Sequence, residues 1–226
     1  MPNHVQNKLT IIGDTQRVKE VFRSIKGSPY DDGTPKKIDF NAIIPMPEGL
    51  NIDSDSWVSA IESRYDNQTL NEHLEKLRKR ASEIPQKREE VVNNFIQGVR
   101  NYLEHGFATW YSWCIENWGT KWNAYTQNDK RDTENTIFFQ TAWNAPIKVI
   151  RKLSEMFPDL VIDFCYADED SGCNTGKISF MAGKQIYPVI PVNQSKPAYD
   201  IYFDLHPNEI EKYKLIEGKY IYISED

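Results

Sequence analysis

The stretch Ile137–Tyr166, IFFQTAWNAPIKVIRKLSEMFPDLVIDFCY, carries the periodicity that decides the fold. Ile137–Ala142 has the length and composition of a strand. Ile147, Ile150, Leu153 and Phe157 then recur at the three-to-four spacing of an amphipathic helix, and Pro158-Asp159 breaks it. Asn144 is expected to cap that helix, with Pro146 at its first helical position, where a missing N–H costs nothing. Leu160–Tyr166 reads as the next strand, so these residues form one β-α-β unit.

Working outward, Lys8–Ile12 reads as a strand ended by Gly13-Asp14, followed by a helix with Val18, Val21, Phe22 and Ile25 on one face. Ile38, Phe40, Ala42 and Ile44 alternate with Asp39, Asn41 and Ile43. That pattern predicts a half-buried strand, ended at Pro45-Met46-Pro47 because proline cannot donate to a ladder. Two charged helices in tandem follow within 67–102, one striped by Leu70, Leu74 and Leu77. The other is striped by Val92, Phe95, Ile96, Val99 and Leu103 and capped at His105-Gly106. Trp110, Trp113, Cys114 and Asn117 share a short helical face, Gly119 ends it, and Lys121–Tyr125 reads as a strand. Asn174–Ala182 is a strand paired through the turn at 167–172. Beyond Tyr187, the strings IYFDL and KYIYI alternate as short strands.

The expected fold is therefore α+β, a ferredoxin-like antiparallel sheet with helices on one face, a tandem-helix insertion and extra C-terminal strands. Residues 1–187 would form the ferredoxin-like domain with the insertion at about 57–105, and 188–226 a C-terminal extension adding edge strands or a loose appendage.

The chain of 226 residues is long enough to bury a core, and its six Trp, twelve Tyr and ten Phe offset a lean apolar fraction of 39%. The net charge of −6 is uneven: residues 1–158 carry 21 basic and 21 acidic side chains, and residues 159–226 carry 6 and 12. An acidic end repels polyanions and can attract a basic protein surface. Three cysteines without a CxxC pair make no disulfide framework. The opening residues have no charged-then-apolar export pattern, and no run approaches the roughly 18 apolar residues of a membrane span. A cytoplasmic protein with no membrane partner is expected.

Five strings in order, PNHVQNKLTIIG, FNAIIPMPEGL, NWGTKWNA, FQTAWNAPIKVIRKLSEMFPDL and the closing hairpin, make the chain resemble the YubB-type ferredoxin-like family. These are uncharacterised proteins of phages and conjugative plasmids, also called Api-like phage proteins. The resemblance runs from about Pro2 to Gly183 and implies a ferredoxin-like fold and a mobile-element origin. It supplies no activity. His4-Val5 stands where the family often has a tryptophan-cysteine pair, and the stretch after Tyr187 falls outside the pattern.

The candidate binding site is NWGTKWNA, with Asn117, Trp118, Lys121, Trp122 and Asn123 as its residues. Two indoles beside a cation and two amides suit a nucleobase, a sugar or a peptide. The alternative is that Trp118 and Trp122 fill the core while Gly119 permits a turn.

Other motifs are weaker. ADEDSG (167–172) lacks the further ligands of a calcium loop and reads as a hairpin turn, across which Cys165 and Cys173 would face each other if it is symmetric. The four histidines have no zinc spacing, no glycine pattern builds a phosphate cradle, and no nucleophile elbow is present, so no cofactor or metal is expected. The basic run at Arg78, Lys79, Arg80, Lys87 and Arg88 is interleaved with glutamates, as on a solvated helix. The leading expectation is a non-enzymatic module that binds a host protein. A nucleic-acid-binding module using the sheet face and an enzyme with a site assembled from separated residues are the alternatives.

Overall fold

The strand that organises the sheet is β1 (His4–Ile12), because side chains on both of its faces are covered. The computed structural model describes residues 3–54, 57–63, 72, 75, 76, 79 and 88–223. After β1 come α1 (Thr15–Ser24), 3-10 turns at Phe40–Ala42 and Glu48–Leu50, α2 (Trp57–Glu62), α3 (Arg88–His105) and α4 (Trp110–Asn117). Then follow β2 (Thr136–Ala142), α5 (Ile147–Met156), β3 (Val161–Asp168), β4 (Gly176–Met181), β5 (Lys184–Gln185) and α6 (Lys196–Leu205). A 3-10 turn at Pro207–Lys212 leads into β6 (Tyr213–Ile216) and β7 (Lys219–Tyr222). The first leucine stripe of the tandem helices (Leu70, Leu74, Leu77) and most of its basic run lie outside the described residues.

The fold is α+β and ferredoxin-like. Five antiparallel strands lie in the order β2-β1-β3-β4-β5. With β1 inserted between β2 and β3, the β2-α5-β3 connection is a split β-α-β unit. Leu9 sits opposite Ile137 on one side and Phe164 on the other, and Ile11 sits opposite Ile162. Val5, Leu9, Ile11, Phe139, Ile162 and Phe164 therefore share one fully buried face.

α5 packs on β3 and β4 and contributes Val149, Ile150 and Leu153 to the core, to which α1 adds Val18 and Val21. Between the first turn of α1 and the residues that follow α5, the Arg17 guanidinium bonds both oxygens of Asp159 at 2.9 and 2.8 Å and lies 5.5 Å from the Phe157 ring. Asp14 caps α1 by accepting from the Gln16 and Arg17 amides.

The second face is not open. Phe138, Cys165 and Ala167 cluster there with Tyr202, Phe203 and Leu205 of α6. The string IYFDL, expected as a strand, thus lies in a helix, started by Ser195 with Pro197 in the first turn. Tyr199, Tyr202, Phe203 and Leu205 recur at helical spacing, and their burial against the sheet outweighs the strand preference of the individual residues. β6 and β7, the extra C-terminal strands, pair only with each other and rest Tyr213 and Tyr220 on Tyr199 and Phe203. Residues 188–226 belong to the same compact unit as the sheet, which comprises 1–45 and 117–226.

Two further expectations about strands do not hold. Ile38–Ile44 keeps Ile38 and Phe40 buried, but the alternation ends there: the chain closes into a 3-10 turn that exposes Ala42 and buries Ile43. Side chains take its backbone groups: Asp39 accepts from the Asn41 amide, Asn123 from the Phe40 amide and Gln127 from the Ile38 amide, each at 2.9 Å. Lys121–Tyr125 is likewise no strand; Tyr125 forms an isolated bridge with β2, exchanging two hydrogen bonds with Gln140 at 3.0 and 2.7 Å, and the Lys121 N–H reaches the Ala142 carbonyl at 3.4 Å. The start of α5 also differs. Pro146 is the cap residue and no side chain caps the helix, so Asn144 is not its N-cap. Cys165 sits opposite Lys177 rather than Cys173, because the β3–β4 connection runs from Glu169 to Thr175 and Cys173 lies within it.

Residues 46–116 form a second unit. Trp57, Val58, Ile61, Phe95 and Ala108 make its core, with Ile52, Val99 and Tyr102 packed against them. Gly98 lets α3 approach α2 closely, since a Cβ there would collide with the Trp57 ring. The buried Asn101 amide donates to the Gly49 and Ala108 carbonyls at 2.8 and 3.0 Å. Gly106, at φ +78°, closes α3 as a left-handed cap whose N–H reaches the Tyr102 carbonyl.

Candidate functional site

Five residues were singled out in NWGTKWNA, and the fold separates them into two groups. Asn117 ends α4, half-buried. Trp118 follows it into the core at 3% exposure, its ring edge-on to Phe40 and its indole N–H donating to the Ile44 carbonyl at 2.9 Å. Gly119 then adopts φ +80°, where a side chain would be strained. Thr120 is buried and donates to the Ala142 carbonyl at 2.7 Å, tying the segment to the end of β2. Asn123 is also committed. Its carbonyl oxygen accepts from the Phe40 and Ala124 amides, and its NH2 donates to Asp39 at 2.7 Å. Trp118 and Asn123 are therefore fixed parts of the scaffold.

Lys121 and Trp122 lie on the outside of that scaffold. Trp122 is 38% exposed and sits edge-on to Tyr125, with ring centroids 6.1 Å apart. The Lys121 ammonium lies 5.0 Å from the Trp122 ring centroid and 4.9 Å from that of Trp143. A cation at this distance from two indole rings is held electrostatically.

Trp143 holds its place through a left-handed backbone at φ +73°, unusual for a bulky residue. Hydrogen bonds brace it on both sides. Its N–H donates to the Asn3 carbonyl at 2.9 Å, its carbonyl accepts from Asn174, and Thr141 bonds the Asn144 carbonyl. Such strain persists only where the surroundings over-determine it.

Tyr125 extends the strip. Its hydroxyl donates to the Thr141 carbonyl at 3.0 Å, so the His4 Nδ1, 2.7 Å away, donates to the Tyr125 oxygen. Burial, with the Glu169 carboxylate nearby, pushes the Tyr125 phenol up to about 12, so it stays protonated in this role at neutral pH. The surface thus runs from Trp143 through Lys121 and Trp122 to Tyr125 and His4. Neither Trp143 nor His4 belongs to the candidate set that the sequence suggests. Only the β1–β2 register, which sets His4 opposite Ala142, brings them together.

Among the described residues, no three His, Cys, Asp or Glu side chains converge as a metal-holding group, and no helix is long and apolar enough to cross a membrane. All three cysteines are free, and burial pushes the Cys114 and Cys165 thiols up to about 12, far from the thiolate of a nucleophile.

No curated protein matches the chain. A crystal structure of the protein Api92 from Yersinia pseudotuberculosis is similar at 11% identity and a TM-score of 0.45, over 85% of this chain and 99% of that one. Residues 121–202, which span β2 to most of α6 and include Lys121, Trp122, Tyr125 and Trp143, match the family described as the ferredoxin-like domain in Api92-like protein.

Proposed function

We propose that the protein is a non-enzymatic binding module of phage or plasmid origin that engages a host protein through the Trp143–Lys121–Trp122–Tyr125–His4 surface. The observation that carries this reading is the exposed Trp122 ring beside an ammonium flanked by two indoles. Trp and Tyr dominate binding energy at protein interfaces, where they supply large contact area at small entropic cost. The mobile-element origin rests on the resemblance of five strings to the YubB-type family.

A nucleic-acid module using the sheet is less well supported. RNA-recognition plaits stack bases on an open sheet face, whereas here α6 covers the second face. The surplus of six acidic charges in residues 159–226 also opposes a polyanion.

Capture from host lysate tests the reading. The wild-type chain should retain a stoichiometric protein partner, and Lys121→Ala and Trp122→Ala should each lose it with the melting temperature nearly unchanged. Retention of nucleic acid that nuclease removes, or capture that survives both substitutions, would overturn it.

A further inference from the structure

Within the unit of residues 46–116, a cleft of about 530 Å³ is lined by Val58, Phe107, Tyr111, Ile115 and two carboxylates, Glu62 and Glu116. The volume lies inside the range of roughly 300–1,000 Å³ typical of small-ligand sites. Among the described lining residues there is no lysine, arginine or histidine. Apolar walls and a fixed carboxylate select the chemistry of the occupant.

Glu62 is the built element of this cleft. Its Oε1 accepts from the Ala108 amide at 2.9 Å and from the Ser112 hydroxyl at 2.5 Å. These bonds fix the carboxylate between the end of α2 and the start of α4. Both fall on the same oxygen, which leaves Oε2 to accept from a donor in the cleft. A fixed anion beside Phe107, Tyr111 and Ile115 is complementary to a cation carried on an apolar body.

We infer that this cleft binds an organic cation, an alkyl- or aryl-ammonium or a guanidinium, with Glu62 as its counter-charge and Val58, Phe107 and Ile115 around its apolar part. The inference does not rest on the Trp143–Lys121–Trp122–Tyr125–His4 surface. The same chemistry is offered by a free amine and by the basic side chain of a partner peptide.

Calorimetric titration of the full chain with phenethylamine, with its neutral counterpart 2-phenylethanol and with the peptide Ala-Lys-Phe-Ala tests the assignment. The amine, the peptide or both should bind saturably at a single site, roughly tenfold or more tightly than the alcohol, and salt should weaken them. Binding of the amine alone identifies a small-molecule ligand; tighter binding of the peptide identifies a partner side chain. Glu62→Gln keeps an acceptor for Ala108 and Ser112 while removing the charge, and should weaken cation binding roughly tenfold or more. Should that variant fold poorly, Ile115→Trp, at a position 37% exposed, fills the cleft without touching its charge and should abolish binding. Equal affinity for alcohol and amine, no binding of either cation at millimolar concentration, or unchanged binding in both variants would overturn the inference.

Discussion

Asn123 and Lys121 are two positions apart, yet one is scaffold and the other surface. The Asn123 amide replaces a strand ladder for the turn at Phe40–Ala42, bonding Phe40 and Asp39 together. Asn123→Ala leaves the Phe40 amide without its acceptor and should cost about 1–3 kcal/mol, read as a lowered midpoint in urea. Lys121→Ala should leave that midpoint nearly unchanged, so the pair separates fold from binding. His206 gives a second test at this scale. Its ring stacks on Tyr202 at 4.5 Å, and its Nε2 is buried without a partner. Burial chiefly, with Arg131 nearby, lowers its pKa, against the Ala167 carbonyl, Glu209 and Asp168. The folded chain therefore takes up this proton less readily than the unfolded chain. The contribution is complete above the ordinary histidine value of about 6.5 and is lost as pH falls through the lower folded value. Denaturation midpoints measured between pH 7.5 and 5 should fall with acid in the wild type and fall less in His206→Phe. Equal slopes would show that His206 does not carry the effect.

Elements were legible in the sequence where a single period ran uninterrupted. The stripe Ile147, Ile150, Leu153, Phe157 marks α5, and all but the cap residue of α1 follows from Val18, Val21 and Phe22. Strands β1 to β4 appear where apolar runs were bounded by turn residues. The failures share one cause. At Ile38–Ile44 the alternation of residue types suggests a strand, as does the composition of Lys121–Tyr125, but neither says where backbone N–H groups go. Asp39, Asn123 and Gln127 satisfy those groups with side chains, and no residue pattern shorter than the 83 positions between Phe40 and Asn123 reveals it. The candidate site was legible to the same degree. Lys121 and Trp122 could be read from their string, whereas Trp143 and His4 needed the β1–β2 register. The Glu62 cleft left no local signal, since Glu62 and the Ala108 amide that fixes it stand 46 residues apart.

Across the sheet-bearing unit, the C-terminal segment is a second roof rather than an appendage. α6 presses Tyr202, Phe203 and Leu205 onto Phe138, Cys165 and Ala167, and the β6–β7 hairpin braces the helix through Tyr213 and Tyr220. Two strands alone are marginal in water, so the hairpin depends on this aromatic packing as much as the helix depends on the hairpin. Polar ties pin the rim: Lys8 meets Asp204 at 3.1 Å, the Arg131 guanidinium lies 4.1 Å from the Phe138 ring, and it donates to the Leu205 carbonyl. Cys165 reports directly on this roof, because it is 7% exposed beneath it and its thiol is held near 12 by burial. In the intact chain a maleimide reagent should modify Cys173 first, with Cys165 protected. A chain ending at Gln194 should expose Cys165 and bring its modification rate close to that of Cys173, measured by peptide mass spectrometry. Because the truncated chain can aggregate, Phe203→Ala serves as the milder companion, predicted to speed labelling of Cys165 while α5 stays packed on β3 and β4. Protection of Cys165 that survives both changes would mean that the sheet shields it unaided, and the segment after Gln194 would then be decoration on a fold already complete at β4.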